Sequence, residues 1–289
     1  MKNRNGYVLV TCLLMLAFCT LLLASISRAS VSQAIAAREA EAALRTRWGL
    51  LSITEIGRAA RSNLLTRRDT DDAGKEIRVP IPSRRWQIEL SGQKFEAVIQ
   101  DENAKINLNF WLANTNESST GNMIRRHAAA ELPSWQERLQ LELAPGGTDG
   151  SGPLRSWGQV FRPQPVSART EHADAVRLAT GRLTLWTGRG AINIRTADED
   201  VLLDCLRLVT GGREASTIVR RRQEADINEI LADLDVTDRK RDTLRRLLTD
   251  HCESYSLWLR CRSRSGDTTW FVVNESLGAG ASRTRTFSW

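Results

Sequence analysis

The sequence of 289 residues predicts an α+β fold, in which a long N-terminal helix packs on an antiparallel sheet and a large helical domain is inserted between the strands. Three observations predict it. Residues 28–68 contain no proline and repeat apolar side chains at helical spacing. Runs that alternate apolar and polar residues, at 84–110 and 254–275, predict two hairpins of one sheet. The region between them, 111–253, contains several segments with helical periodicity.

The first segment is long and apolar enough to cross a membrane. Residues 7–27 carry no charged side chain, and about 20 such residues span a bilayer as a helix. Lys2 and Arg4 precede them, so the positive-inside rule predicts a cytoplasmic N-terminus and an exported remainder. A cleaved signal peptide is the alternative, because Ser27-Arg28-Ala29 is a passable cleavage site, although signal peptides have shorter apolar cores of about 7–15 residues.

The same helix continues beyond the membrane segment as an amphipathic half at residues 28–68. This stretch is rich in Ala, Leu, Arg and Glu, which are good helix formers. Its apolar positions include Val31, Ile35, Trp48 and Leu51. We therefore expect one helix of about 55–60 residues, roughly 80 Å or more in length, which is far longer than a bilayer requires. A polar connector, predicted to be a solvated loop, follows up to residue 83.

The sheet is predicted from two hairpins. In the first, Trp86, Ile88 and Leu90 alternate, Ser91-Gly92 forms the turn, and a second alternating run ends in the sequence DENAKINLN at 101–109. The second hairpin covers 254–275. The tail at 276–289, rich in Ser, Arg and Thr, is expected to be loose.

The inserted domain is predicted to be helical. A helix is expected around 134–143, although 111–186 otherwise lacks clear periodicity. Thr196, three residues before Glu199, predicts a capping box that starts a helix. Further helices are expected around 212–222 and 226–234, and Thr237 is a candidate cap for the last one.

Composition and motifs give no sign of an enzyme. The net charge of +7 comes from 41 basic and 34 acidic residues, and such a balance is most often a solvated surface. The three His, at 127, 172 and 251, have no ligand or nucleophile pattern and are expected in surface or capping roles. The five Cys form no CxxC pair, and Cys252 with Cys261 is a candidate disulfide in an oxidising compartment.

The N-terminus resembles those of type IV pilins and type II secretion pseudopilins. The resemblance rests on a short basic leader, residues 1–6, that ends in Gly6, and on an apolar half-helix followed by an amphipathic one. It implies that a prepilin peptidase cuts after Gly6 and that Tyr7 becomes the N-methylated first residue. Most members carry Glu at the fifth position after the cut, whereas this chain has Thr11.

Thr11 and a second motif narrow the resemblance to the K-type minor pseudopilin. A carboxylate in the bilayer is costly unless it is paired, and a tip subunit has no subunit ahead of it to supply the partner. The K type characteristically lacks this Glu. The body of the chain resembles the same family in an acidic pair, a Lys-Ile-Asn-x-Asn run and a later Asn and Thr, here Asp101, Glu102, Lys105, Asn107, Asn109, Asn193 and Thr196.

The resemblance implies a function in assembly and protein recognition. The chain would cap the periplasmic pseudopilus of a type II secretion system, held in the bacterial inner membrane by one span with most of the chain in the periplasm. Its implied partners are other minor pseudopilins, the major pseudopilin filament and the inner-membrane platform, with the secretin or the cargo as further candidates. No cofactor is predicted. The calcium site of some family members has no counterpart that we can map here.

Two other interpretations stay open. The helical block also resembles the helix-hairpin-helix units of DNA-uptake proteins, in which a Gly-apolar-Gly hairpin binds phosphate. Here Leu208–Gly212 lacks that pattern, so nucleic acid is not the expected partner, although Arg220, Arg221 and Arg222 could contact phosphates. A secreted or signal-anchored enzyme is the third interpretation, and no motif supports it.

Overall fold

The computed structural model describes residues 4–70, 74–143, 153–165, 169–187, 190–263, 266–278 and 281–288. The chain divides into two compact units, Met1–Ser52 and Ile53–Trp289. The first unit is helical throughout its described length. The second contains the sheet and the inserted helices.

Helix α1, Arg4–Ala59, is the long N-terminal helix that the sequence predicts. It is continuous over 56 residues, and every side chain from Tyr7 to Ala40 is exposed. Within the described residues it is the one helix long and apolar enough to cross a membrane. It ends before Arg68, where we expected the amphipathic half to end. The polar sequence Arg61-Ser62-Asn63 forms only the short helix α2, Arg61–Leu64, because Ser and Asn side chains compete with the helix for backbone hydrogen bonds.

The connector is a hairpin rather than the predicted loop. Strands β1, Thr66–Thr70, and β2, Glu76–Pro80, pair antiparallel with Thr66 opposite Pro80. The β-branched residues of both strands favour extended backbone, and the antiparallel ladder satisfies their backbone groups. The acidic pair at 71–72 lies outside the described residues.

A five-stranded antiparallel sheet forms the centre of the second unit. Its order is β13-β12-β11-β4-β3, with β3 at Ser83–Leu90, β4 at Gln93–Asp101, β11 at Tyr255–Ser263, β12 at Gly266–Gly278 and β13 at Ala281–Ser288. The two predicted hairpins are confirmed, and they pair with each other through β4 and β11. Ser91 and Gly92 both have positive φ, 52° and 75°, as the tight turn between β3 and β4 requires.

The last residues of α1, Ile53–Ala59, belong to this second unit and pack on one face of the sheet. Ile53 is fully buried, and a Cβ added at Gly57 would lie 3.3 Å from Leu257 Cδ2. The absence of a side chain at position 57 therefore allows the helix to lie close to strand β11. The predicted contact between helix and sheet is confirmed for these residues.

The tail is not loose, as the sequence suggested, because β13 is an edge strand of the sheet. Its polar, mostly exposed side chains suit an edge, and Phe287 is the exception. The Phe287 ring lies 6.0 Å from Phe271 and 5.5 Å from Trp186, between ring centroids. One aromatic residue at strand spacing thus attaches the C-terminal segment to the core.

The inserted region is helical, with short strands between the helices. Its helices are α3 (Leu108–Asn114), α4 (Glu117–Glu131), α5 (Trp135–Arg138), α6 (Arg169–Ala179), α7 (Glu199–Arg207), α8 (Gly212–Arg221), α9 (Ile227–Ala232) and α10 (Asp238–Leu247). The strands are β5 (Ile106–Asn107), β6 (Leu139–Leu141), β7 (Phe161–Pro163), β8 (Leu183–Thr184), β9 (Ile192–Asn193) and β10 (Leu248–Thr249). The helix expected at 134–143 stops at Arg138, because Leu139–Leu141 pairs with β7.

One apolar core joins the inserted helices to the sheet. Trp186, 1% exposed, comes from the inserted region, and its ring lies 6.2 Å from that of Phe271 on β12. Trp157, also from the insertion, packs edge-on against Trp186 at 6.5 Å. The sheet and the inserted helices therefore bury their aromatic side chains against each other and form one folded body.

We predict that Phe287→Ala lowers the free energy of unfolding by about 1–3 kcal/mol, because a half-buried aromatic ring leaves a core it shares with Trp186 and Phe271. Urea unfolding followed by tryptophan fluorescence measures the change. Thr286→Ala, an exposed position on the same strand, is the control and should change stability by less than about 0.5 kcal/mol. Equal stability of both variants would contradict the packing of β13.

Candidate functional site

The motif residues at the end of β4 converge in a buried polar cluster. Asp101 ends β4, and a 3₁₀ turn, Glu102–Ala104, directs the chain from the sheet into the inserted region. Asp101, Glu102 and Asn103 are each at most 1% exposed, and Lys105 is 5% exposed. We call Asp101, Glu102, Asn103, Lys105, Asn193 and Thr196 the polar junction.

Asp101 accepts hydrogen bonds from two side chains that lie 92 and 95 residues later in the chain. Its Oδ2 accepts hydrogen bonds from Asn193 Nδ2 and Thr196 Oγ1, both at 2.8 Å. Its Oδ1 accepts from the backbone N–H of Asn103 at 2.9 Å. These donors stabilise the carboxylate, but burial away from water dominates and raises the pKa of Asp101 above its ordinary value.

Glu102 forms a buried ion pair with Lys105. The Lys105 Nζ donates to Glu102 Oε1 at 2.6 Å and to Gln100 Oε1 at 3.0 Å. Glu102 also accepts hydrogen bonds from Ser256 Oγ, at 2.5 Å, and from Thr184 Oγ1. The carboxylate thus binds strand β11 on one side and strand β8 on the other, and the ammonium group balances its charge.

Asn103 connects the junction to the return strand of the sheet. Its Oδ1 accepts from the backbone N–H groups of Glu253 and Ser254, at 2.9 and 2.8 Å, and its Nδ2 donates to the Ala191 carbonyl at 2.9 Å. One amide side chain therefore satisfies three backbone groups just before β11 and β9. Sequence analysis had not singled out Asn103, and its position between Glu102 and Lys105 was the available signal.

The other two motif asparagines lie deeper in the insertion and have structural partners. Asn107 caps helix α3, since its Oδ1 accepts from Phe110 N at 2.9 Å, and its Nδ2 donates to Thr187. Asn109 donates to the carbonyls of Leu154 and Leu185 and accepts from Leu154 N at 2.6 Å. Both therefore position loops of the inserted region.

Thr196 does not form the predicted capping box. Helix α7 begins at Glu199 with Asp198 as its N-cap, and the cap side chain makes no hydrogen bond to the helix. The Thr196 hydroxyl points instead to Asp101, because a buried carboxylate needs donors more than a solvated helix end does. The capping box that the structure contains at α9 is formed by Asp226 and Glu229.

The junction is built to hold segments together, and its chemistry is that of a structural network. Each of its carboxylate oxygens accepts a hydrogen bond from an internal donor. In the described ranges, no group of three or more His, Cys, Asp or Glu side chains is placed to hold a metal ion. Calcium, which the family resemblance allows, therefore gains no candidate ligands among the described residues.

The predicted cleavage site, Gly6 and Tyr7, and the nearby Thr11 lie in the first turns of α1. Tyr7 is 76% exposed, and Gly6 falls within the helix. The Thr11 hydroxyl donates to the Tyr7 carbonyl at 2.9 Å. Thr11 thus satisfies its polar group within its own helix, where a carboxylate would need an external cation.

A second buried polar pair was missed by sequence analysis. His127 on α4 is fully buried, contrary to the expected surface or capping role, and its Nε2 lies 2.9 Å from Asp204 Oδ2 on α7. Arg126 also donates to Asp204, at 2.8 Å. Although burial alone raises the pKa of Asp204, the hydrogen bonds and positive charges of His127 and Arg126 lower it overall. The pair joins two helices 77 residues apart in sequence, which no local pattern could predict.

The three arginines considered for nucleic acid differ in their contacts. Arg221 binds Asp233 and Arg222 donates to the Ala197 carbonyl at 2.8 Å, so two of them stabilise the helical block itself. Arg220 is exposed at the end of α8. Two of the three arginines are therefore engaged in contacts within the helical block.

Cys252 and Cys261 do not form the candidate disulfide. Cys261 lies within strand β11, which begins at Tyr255, and Cys252 precedes that strand. An extended strand of six residues spans roughly 20 Å, whereas a disulfide needs Cα atoms within about 7 Å. Burial also raises the pKa of the Cys252 thiol well above its ordinary value, so it is a poor nucleophile.

We predict that Glu102→Gln and Lys105→Met each lower the free energy of unfolding by about 3–5 kcal/mol, because each leaves a buried charge without its partner. The double variant should lose less than the sum of the two, since neither charge remains. Urea unfolding of the four proteins gives the coupling energy. Additive losses would show that the ion pair is not coupled.

We predict that the contribution of Asp101 to stability falls as pH rises. Its folded pKa is raised, so the folded state binds the proton more tightly than the unfolded state does. Stability is then lost as pH increases from about 3.8, the unfolded value, through the folded pKa. The unfolding free energy of the natural protein minus that of Asp101→Asn should be larger at pH 4.5 than at pH 7. A difference that grows with pH would contradict the raised pKa.

Comparisons with known proteins give a structural likeness but no match in sequence. No protein-family model and no curated protein matches the sequence. The chain is similar to a chain in the crystal structure of the GspK-GspI-GspJ complex from the type 2 secretion system of enterotoxigenic Escherichia coli. The sequence identity is 15%, the TM-score is 0.43, and the likeness covers 87% of this chain and 98% of that chain.

Proposed function

We propose that this protein is a K-type minor pseudopilin that caps the tip of the periplasmic pseudopilus of a type II secretion system. It acts by assembly and protein recognition, without catalysis. The leader is cut after Gly6, Tyr7 becomes the methylated N-terminus, and residues 7–27 hold the protein in the inner membrane. Lys2 and Arg4 keep the N-terminus cytoplasmic, which leaves the body of the chain in the periplasm.

Thr11 carries the proposal. A subunit within a filament can pair a carboxylate at this position with the amine of the subunit ahead, whereas the first subunit has no such partner. An unpaired carboxylate in the bilayer is costly. The Thr11 hydroxyl avoids this cost because it bonds to the Tyr7 carbonyl of its own helix. The first subunit of an assembly is the one position where this arrangement is an advantage.

The distribution of exposed apolar side chains supports the same role. Of the large apolar side chains that are exposed, all but Ile56 and Ile77 lie on α1 between Tyr7 and Leu51. Among the described residues of the inserted region, none is exposed. Apolar contacts with other subunits are therefore available along α1, and the inserted helices present a polar surface on which a further subunit has little to bury.

Several partners follow from this role. Other minor pseudopilins contact the exposed apolar positions of α1, the major pseudopilin filament follows behind the tip, and the inner-membrane platform receives the membrane segment. Contacts with the secretin or the cargo fall to the surfaces of the second unit. These partners are proposals, and each is open to co-purification from membranes.

We predict that Thr11→Glu reduces recovery of the complex with other minor pseudopilins by about tenfold or more, because an unpaired carboxylate at the membrane centre costs about 2.5–3.5 kcal/mol and tenfold corresponds to about 1.4 kcal/mol. Thr11→Val is the matched control, since it removes the hydroxyl without adding a charge, and it should assemble normally. Co-purification from detergent-solubilised membranes measures the result.

Mass spectrometry of the mature N-terminus tests the pilin class separately. An N-methylated Tyr7 is expected, and a mature chain that begins at Ser30 would identify a cleaved signal peptide instead. A methylated Tyr7 together with full assembly of Thr11→Glu would retain the class and overturn the tip position. Salt-dependent DNA binding by the purified protein would favour the alternative role in DNA uptake.

A further inference from the structure

Two arginines, from strands β2 and β3, contact Asn63 in the short helix α2, and a third on β1 lies opposite one of them. Arg78 Nη1 donates to Asn63 Oδ1, and Arg84 Nη1 donates to the Asn63 carbonyl, both at 3.4 Å. Arg68 lies directly opposite Arg78 in the β1–β2 register. We call Arg68, Arg78 and Arg84 the arginine cluster. All three belong to the second unit.

The cluster has more positive charge than its surroundings offset. Arg68 forms one exposed ion pair, with Glu76 at 3.2 Å. Among the described residues, Arg78 and Arg84 form no ion pair, and their bonds to Asn63 are long and made to neutral acceptors. Like charges directly opposite each other in a hairpin destabilise it, so the Arg68–Arg78 pair costs folding free energy. The fold tolerates a repulsion here that one carboxylate would remove.

Nearby arginines show the contrast. Arg58 pairs with Glu55 at 2.6 Å and Arg67 pairs with Asp69 at 2.7 Å. The same short region therefore contains guanidinium groups paired with carboxylates beside two that have no such partner among the described residues. A guanidinium group presents a planar set of donors that matches a carboxylate in two parallel hydrogen bonds. Arg78 and Arg84 present such donors near the surface. Arg78 contacts the side chain of Asn63, and Arg84 contacts its backbone carbonyl.

We propose that the arginine cluster binds a short acidic segment of a partner protein, with carboxylates placed on Arg78 and Arg84. A flanking charge favours this occupant over nucleic acid. Glu76, which pairs with Arg68, flanks the cluster and would repel a polyanion, whereas it leaves room for two or three carboxylates. Nucleic-acid binding typically neutralises six to ten phosphates over a continuous basic surface. This inference goes beyond the proposed function and does not depend on it.

The test uses the full-length protein in detergent micelles and, as the probe, a fluorescein-labelled peptide of glycine and serine that contains three consecutive glutamates. Fluorescence anisotropy at 50 and 300 mM NaCl gives its affinity. Binding is expected at 50 mM and should weaken at 300 mM. The double variant Arg78→Ala/Arg84→Ala should weaken binding at 50 mM by about tenfold, because two charge-assisted contacts are lost.

A matched control separates the cluster from net charge. Arg239→Ala/Arg246→Ala removes the same charge from exposed positions on α10 and should weaken binding less than twofold. Arg78→Lys/Arg84→Lys keeps the charge and removes the planar donors, so it should lie between the natural protein and the alanine variant. Tryptophan fluorescence confirms that each variant is folded.

Three outcomes would overturn the proposal. In the first, the glutamate peptide does not bind at 50 mM NaCl. In the second, Arg78→Ala/Arg84→Ala and Arg239→Ala/Arg246→Ala weaken binding equally, which would indicate an effect of net charge alone. In the third, a single-stranded DNA of ten nucleotides binds more tightly than the peptide and loses that affinity in Arg78→Ala/Arg84→Ala, which would identify a nucleic-acid surface. If Arg78→Ala/Arg84→Ala does not fold, Arg78→Lys/Arg84→Lys is the test. Full affinity in that variant would exclude recognition by the planar guanidinium donors.

Discussion

The buried carboxylates at the end of β4 impose the constraint on which the second unit depends. A charged group removed from water is tolerated only when hydrogen bonds and opposite charge replace its hydration. Asp101 and Glu102 obtain these from Asn193, Thr196, Thr184, Ser256 and Lys105, which lie up to 154 residues away in the sequence. Separation of the inserted region from the sheet would remove the donors Asn193, Thr196 and Thr184, and would leave both carboxylates only partly satisfied. The junction therefore fixes where the insertion leaves the sheet and where it returns.

The aromatic core complements this constraint. Trp186 from the inserted region packs with Phe271 and Phe287 from two strands of the sheet. Apolar burial is not directional, so it stabilises the contact without specifying one orientation. The polar junction is directional, and each of its donors fits one acceptor. Together they stabilise the second unit and determine a single arrangement of sheet and insertion.

This division of roles explains why a cluster of Asp, Glu, Lys and Asn side chains need not be an active site. Each carboxylate of the junction is occupied by internal donors. Exposed apolar side chains lie elsewhere, along α1, and exposed arginines lie beside α2.

The sequence by itself determined the elements whose signals are local. Helix α1 follows from composition and spacing within one stretch of chain, and the β3–β4 and β11–β12 hairpins follow from alternation on either side of a turn. Thr11 was identified by counting from Gly6. Tertiary structure decided the rest. Thr196 left its predicted cap for Asp101, His127 became buried against Asp204, and the tail became β13 because Phe287 reached the aromatic core. In each case the partner lies in a distant part of the sequence, and only burial shows which polar or aromatic group needs it.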